Sequence, residues 1–548
     1  AALTPEVKGL AGIGHTRWAT HGVPSETNAH PHYSNDERFY LVHNGVIENY
    51  QQLKEEYLKG VEFKSQTDTE VIVQLVDKFV VDYKMDTKDA LLKVLRLISP
   101  DSSYAFALMD REQPDTLFVA KNKSPLLVGL CQGYNMVGSD AMSMIDETNE
   151  FMEINDHELV IVKPDNVTIE EFDGTEKKRD SFKVDMDPSA ADKGTYPFYM
   201  LKEIDEQPAV MRKLVQEYFD SDDQPQISEK LLQAMAESDH IYIIGAGTSY
   251  HAGLIGARMF EKLCGVPTTV HISSEFAYEQ PLLSQKPFFL FLSQSGETAD
   301  SREVLVHVNE HNWPSLTITN VDKSTLSREA TFTLLLYAGP EIAVASTKAY
   351  TAQIAVEAIL AKALGEYLSR DAAQNFDLKH QLGTIANGIQ SITDSKEDIE
   401  ALASRYLSKP RNAFYIGRGI DWSVSLEAAL KLKEISYVQG FASGELKHGT
   451  IALIENQTPV IAIITQDRTA GLTRSNLEET QSRGAAVLTI VSRHLAHEDD
   501  NIIIPDVDEL LTPLLSVVPA QLLAYYTSLG KGLDVDKPRN LAKSVTVQ

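Results

Sequence analysis

The sequence predicts an α+β domain followed by two copies of an α/β doubly wound parallel-sheet module. Three observations carry that expectation. Short β-rich runs divided by turns fill residues 10 to about 180, continuous apolar strands alternate with amphipathic helices after residue 230, and the opening of that second pattern returns near residue 412.

In the first region RFYLVHNG, YAFALMD, TLFVAKN, YNMVGSD and ELVIVKP read as strands, being rich in β-branched and aromatic residues between turn residues. TDTEVIVQLVDKFVVDY interrupts them, with apolar residues at helical spacing. Many strands and few helices imply layered sheets, an α+β domain over residues 1–180. Polar stretches at DMDPSAADKG and DSDDQPQ mark residues 181–230 as a linker with connecting helices.

HIYIIGAGTSYHAGLIGARMFEKL, PFFLFLSQSGETADSREVLVHV and SLTITN then follow a strand, turn, helix rhythm over residues 231–375. Strands that are apolar throughout belong to a parallel sheet covered on both faces. NAFYIGRGIDWSVSLEAALKLKEI, TPVIAIIT and AAVLTIV repeat the rhythm over residues 400–548, which also hold a C-terminal tail. This is an internal duplication, and only the first copy has a hydroxyl-rich turn after its second strand.

At 548 residues the chain is too long for one core. Its 43% apolar and 23% charged residues are ordinary for a globular protein, and no apolar run has the roughly 18 residues that a membrane helix needs. A net charge of −28 repels nucleic acid and anionic lipid, so neither is an expected partner. The two cysteines, Cys131 and Cys264, make neither a disulfide framework nor a metal-ligand spacing, which fits a reducing, cytoplasmic setting with no metal. Both read as buried packing residues. The first residues carry no export signal, a second reason to expect a cytoplasmic protein.

SQSGET, residues 293–298, lies between a strand and a helix, so its hydroxyls and backbone N–H groups suit a phosphate without a lysine or a metal. GAGTS, 245–249, is a second such turn, and VASTKAY, 344–350, sets Ser346 and Thr347 at a helix start. Each alone reads equally well as a helix cap. Together they point to one ligand crevice beyond the carboxyl ends of the strands. No nucleotide-binding G-x-x-x-x-G-K-[ST] loop occurs.

In SLEAALKLKEISY, Leu426, Leu430 and Tyr437 share one helical face while Lys431 and Glu434 pair at i,i+3 on the next. Glu434 is a candidate general base tuned by Lys431, although spacing alone favours a solvated ion pair. GELKHG places Glu445, Lys447 and His448 in a loop, with His448 a proton shuttle or a surface histidine. Lys543 in DKPRNLAKSVTVQ reads as an ordinary surface residue. HTRWATHG, 15–22, is too polar and specialised for a core and marks a site for a nucleophile or an anionic substrate.

HTRWATHG, NAHPH, VHNG, TDTE, SQSGETADS, VASTKA, ALKLKEISY, GELKHG and DKPRNLAKSVTV, in this order, resemble the glutamine–fructose-6-phosphate aminotransferase (isomerizing) family from about residue 9 onward. The resemblance implies an N-terminal-nucleophile-type glutaminase domain joined to two sugar-isomerase (SIS) domains. It further implies an enzyme that makes glucosamine 6-phosphate from glutamine and fructose 6-phosphate, without organic cofactor or metal, as a homodimer. By it, Arg17 clamps the glutamine α-carboxylate bidentately and Asp68 the ammonium, with Thr20, His21 and His30 lining the pocket. Asn44 and the Gly45 N–H form the oxyanion hole, and Trp18 gates ammonia.

In the isomerase half the resemblance assigns Ser293, Gln294, Ser295 and Thr298 to the sugar phosphate. Thr248, Ser249, Val344, Ser346 and Ala542 complete that pocket. His448 opens the sugar ring from the neighbouring subunit, Lys543 forms a Schiff base, and Glu434, beside Lys431, moves a proton between C1 and C2. The segment between Glu434 and His448 is two residues shorter than the family's usual spacing. GAGTS carries Ala246 where some members have cysteine.

The family's nucleophile is an N-terminal cysteine, whereas this sequence starts at Ala1, and neither Cys131 nor Cys264 can replace it by position. The expectation is an incomplete, poorly packed glutaminase domain, glutamine hydrolysis lost and sugar-phosphate isomerisation retained. A fructosamine-phosphate deglycase would not need the glutamine-pocket motifs. A non-catalytic sugar-phosphate sensor would leave Glu434, His448 and Lys543 without a task.

Overall fold

The computed structural model describes residues 9–17, 21–184 and 192–545. Packing divides them into two units. One holds the residues up to 184 with 297–302 and 545, and the other 192–296 with 303–544.

The first unit has two antiparallel sheets. A seven-stranded sheet runs in the order His32–Tyr33, Phe39–Val46, Ser103–Asp110, Leu117–Asn122, Glu158–Val162, Val167–Glu171, Glu176–Lys177. A four-stranded sheet runs Phe182–Lys183, Glu150–Glu153, Leu127–Leu130, Asn135–Gly138. Strand alternation builds the layers, because Phe39 and Leu41 point to one face and Val42 to the other. On the first face Phe39, Leu41, Phe106 and Phe118 pack under helix residues Val71, Leu75, Phe79 and Leu91. On the second, Val42, Ala107, Val119 and Val160 meet Val128 of the smaller sheet. The helix-side core is densely buried, whereas the core between the sheets borders a cleft of about 520 Å³ lined by Val42, Ala107, Leu117 and Val137.

Among the described residues of 9–184 three α-helices lie where the sequence reading found one: Tyr50–Tyr57, Asp68–Tyr83 and Thr87–Leu97. Tyr50–Tyr57 buries only Leu53, so it shows no apolar stripe. Thr87–Leu97 buries Ala90, Leu91, Val94 and Leu95 behind an Asp86 cap, a legible pattern masked by its stronger neighbour. TDTE proves to be a helix start. Thr67 caps Glu70 N, and the Glu70 carboxylate accepts from the backbone of Lys64 at 2.8 Å and Ser65 at 2.6 Å.

The second unit contains two five-stranded parallel sheets. The first runs Thr268–Ile272, His240–Gly245, Pro287–Ser293, Ser315–Thr319, Phe332–Leu335. The second runs Gln439–Ser443, Asn412–Ile416, Pro459–Ile464, Ala486–Ser492, Ile502–Ile504. Both place the second strand on one side of the first and the third on the other, the duplication expected. Crossovers leaving the first strand in opposite directions open a crevice at its carboxyl end, where ligands bind in doubly wound sheets. In the first module that end is Gly245 to Thr248, beside Ser293 to Gly296.

One core spans both modules, and the stretch read as a linker contributes to it. Helix Tyr199–Tyr218 inserts Met200, Ile204, Met211 and Leu214 at helical spacing. Helices Lys348–Tyr367 and Pro513–Gly530 are apolar nearly all round because they are covered nearly all round.

Candidate active sites

In the first unit Arg17, His21, His30, Gly45 and Asp68 line one small cleft with His43. Arg17 holds a left-handed backbone, φ 53°, uncommon for a side-chain-bearing residue. Its guanidinium donates to the carbonyls of His21 at 2.9 Å and Gly22 at 3.0 Å. Asp68 is buried at a helix start, where one oxygen accepts from Ile47 N at 2.8 Å and the other from Thr69 N at 3.0 Å. His21 Nδ1 is 3.9 Å from the same carboxylate. Burial holds His43 down to about 4 and His30 down to about 2, so both imidazoles are neutral at physiological pH.

Asn44 Oδ1 lies 3.1 Å from His15 Nε2, and the residue lines an adjoining cleft of about 520 Å³. Gly45 has φ +123°, and a Cβ there would lie 2.0 Å from the Ser103 carbonyl oxygen. Only glycine lets these strands pair so closely. Trp18 and Thr20 lie outside the described residues.

In the second unit Ser293 and the helix start at Thr248 and Ser249 sit at the carboxyl ends of neighbouring strands. Ser293 ends its strand, 2% exposed, and its Oγ accepts from Gly296 N at 3.0 Å. Gly296, at φ +68°, leaves no room for a side chain, since a Cβ would fall 1.9 Å from Ser324 Oγ. The Gln294 carbonyl accepts from Asn320 N at 3.0 Å, and Ser295 completes the turn. Thr298 lies in 297–302, the segment that packs with the first unit.

Thr248 and Ser249 open helix Thr248–Met259, and Ser249 Oγ accepts from Gln353 at 2.9 Å. Helix Ile420–Ser436 delivers the carboxylates. Lys431 Nζ donates to Thr248 Oγ1 at 3.0 Å and pairs with Glu434 at 2.7 Å and Glu427 at 3.3 Å. Lys431 and Glu427 are 0% exposed and Glu434 is half-buried, so Lys431 is not the solvated partner of Glu434 that spacing favoured. Burial alone would depress the Lys431 ammonium, but the two carboxylates raise it above the ordinary lysine range.

Sequence reasoning missed Glu427, whose carboxylate also meets Thr248 Oγ1 at 3.1 Å and His251 Nδ1 at 2.8 Å. Its place four residues before Lys431 was the available signal. Tyr437 does not share the face of Leu426 and Leu430. It lies past the helix end at φ 59°, where its hydroxyl accepts from Arg539 N at 2.9 Å.

That bond helps fix the tail. The Asp536 carboxylate accepts from Tyr199 N at 2.8 Å and Met200 N at 2.9 Å, and its carbonyl accepts from Val344 N at 3.0 Å. Lys543 is thereby half-buried, not a free surface residue, with Nζ 2.7 Å from Glu341 and 3.1 Å from Ser346 Oγ. Its neighbour Ala542 is exposed. His448 stands apart from these groups, its ring 80% exposed in the 444–449 loop and 3.9 Å from Glu445. Cys264 is buried as expected, whereas Cys131, directly after strand Leu127–Leu130, is only half-buried.

Two families match the chain. A glutamine amidotransferase domain covers residues 6–167, and SIS domains cover 234–363 and 406–529. Fold and sites therefore define a modular amidotransferase with an antiparallel two-sheet domain ahead of paired SIS sheets. The glutamine–fructose-6-phosphate aminotransferase [isomerizing] of Lactiplantibacillus plantarum is 66% identical over 99% of this chain and 90% of its own length. That of Streptococcus pneumoniae strain R6 is 58% identical over 100% and 91%. The solved C-terminal domain of glucosamine-fructose-6-phosphate aminotransferase from Francisella tularensis is 32% identical, with a TM-score of 0.60 over 63% of this chain and 100% of that one. This chain belongs to the glutamine–fructose-6-phosphate aminotransferase (isomerizing) family.

Proposed function

We propose that the chain converts fructose 6-phosphate and glutamine into glucosamine 6-phosphate and glutamate. The carrying observation is a pair of amines in the second unit, Lys543 bonded to Ser346 Oγ at one hydroxyl-bearing turn and buried Lys431 bonded to Thr248 Oγ1 and half-buried Glu434 at another. Ser293, Gln294, Ser295 and Thr298 hold the phosphate, while Thr248, Ser249, Val344, Ser346 and Ala542 hold the sugar. Lys543 adds to the open-chain ketone, and Glu434 carries a proton between C1 and C2 with Lys431 fixing its carboxylate. His448 opens the ring in the partner's site of a homodimer, a role its exposure suits.

Glutamine enters the first unit, where Arg17 takes its carboxylate, Asp68 its ammonium, and Asn44 with Gly45 N–H the developing oxyanion. Thr20, His21 and His30 line that pocket and Trp18 gates the ammonia. The relatives, aligned over 99% of the chain, lend no support to the expectation that glutamine hydrolysis is lost, so glutamine stands here as the nitrogen donor. Among the described residues no helix is long and apolar enough to cross a membrane, in keeping with a cytoplasmic location.

The test is product analysis with both substrates, following glutamate, glucosamine 6-phosphate and fructose-to-glucose 6-phosphate isomerisation together. All three are expected, with the two sugar products abolished in Glu434→Gln. Sugar products undiminished in that variant would refute the assignment of Glu434.

A further inference from the structure

Helix Ala299–Glu310 closes on two imidazoles, His307 in its last turn and His311 directly after it, that neither the glutamine nor the sugar chemistry uses. An interval of four residues sets both on one side of the helix end, the spacing at which paired histidines hold a metal ion. Their ring centroids stand 4.3 Å apart. Two imidazoles bound at right angles to one ion, with bonds of about 2.0–2.1 Å, hold their centroids about 4.5 Å apart.

In each ring Nδ1 faces an acceptor of the chain. His311 Nδ1 lies 2.9 Å from the His307 carbonyl, which can only accept, so Nδ1 carries the proton and the neutral ring keeps its lone pair on Nε2. The Glu310 carboxylate, 3.8 Å from His307 Nδ1, favours the same tautomer there. Among the described residues neither Nε2 has a hydrogen-bond partner. Metal-binding histidines are arranged in this way, one nitrogen held by a carbonyl or carboxylate and the other offered to the ion.

The surroundings suit a cation. The last carbonyls of the helix present the negative end of its dipole. Glu303, His307 and Glu310 line a cavity of about 360 Å³ with Tyr278 and Gln280, and no lysine or arginine lines it. The His307 side chain is 37% exposed and His311 is exposed, so an ion reaches both from solvent. The turn is also fixed beforehand. Asn312 N donates to the Asn309 carbonyl at 3.0 Å, Trp313 N to that of Val308 at 3.2 Å, and the Trp313 ring stacks on His311 with centroids 4.4 Å apart.

We propose that His307 and His311 form a two-histidine site for a divalent transition-metal ion, taking Cu(II) most tightly and Ni(II) and Zn(II) less so. Nitrogen ligands and the usual order of affinity among these ions set that preference. Among the described residues no three histidine, cysteine, aspartate or glutamate side chains converge as a metal site, so water completes the coordination sphere. Two protein ligands make a site that exchanges its ion with solution and stands apart from the chemistry of either substrate.

The experiment is a Cu(II) titration of the full chain read by tryptophan emission, because Trp313 stacks on one of the two ligands and a bound paramagnetic ion quenches it. Quenching saturates in the parent, and its midpoint rises by at least about tenfold in His307→Asn and in His311→Asn, each of which leaves a single arm of the chelate. A midpoint shared by the parent and both variants overturns the proposal. So does quenching that is undiminished in Trp313→Phe, which would place the ion elsewhere.

Discussion

Lys431 has no solvent contact and pairs with two carboxylates, one of them fully buried. Removing it takes the lysine charge away from the fully buried Glu427, so Lys431→Met destabilises the second unit by about 3–5 kcal/mol in denaturant unfolding. A loss under about 1 kcal/mol would contradict a buried pair. Asp421 reports burial through pH. Its carboxylate accepts from Thr465 N at 2.9 Å and from Thr465 Oγ1, and burial pushes it up to about 7. The folded state therefore holds this proton more tightly than the unfolded chain, and the Asp421 contribution falls as pH rises from about 4 to about 7, then levels. Asp421→Asn removes that fall, so its stability relative to the parent rises across the same window. A constant difference from pH 5 to pH 8 would count against it. None of this was legible beforehand. Spacing showed that Lys431 and Glu434 are neighbours on a helix but not which face the fold covers, and it is the covered face that takes Lys431 out of solvent.

At the scale of elements, helices Thr248–Met259 and Lys348–Tyr367 approach so closely that Gly256 abuts Glu357. A Cβ at Gly256 would lie 2.0 Å from Glu357 Oε1. Glu357 is fully buried with both oxygens unpartnered, and burial pushes its carboxyl well up, so it packs as a neutral acid. Gly256→Ala is expected to cost about 1–3 kcal/mol, and far less once Glu357→Ala has opened the space. A double-mutant cycle with no coupling would rule out the contact. The parallel, doubly wound class of each module and its duplication were legible because continuous apolar strands and turns repeat at a readable rhythm. Helix Tyr50–Tyr57 was not, for want of a stripe, and the helices expected within 181–230 read as connectors, because the apolar positions of Tyr199–Tyr218 sit between polar flanks and did not show that it enters the core.

Across the whole second unit, the longest reach is made by Asp536, whose carboxylate caps a helix that begins 337 positions earlier. Asp536→Ala should cost about 1–2 kcal/mol through the lost cap and lower adduct trapping at Lys543, because the tail loses its anchor. Trapping at the parental rate would show that Tyr437 and Arg539 suffice. No periodicity encodes such a contact, which explains why Lys543 read as a surface residue until the family's motif was taken into account. The anchor also sets a clock on synthesis. Helix Tyr199–Tyr218 gains its cap from Asp536 only after every strand of both SIS sheets has been synthesised.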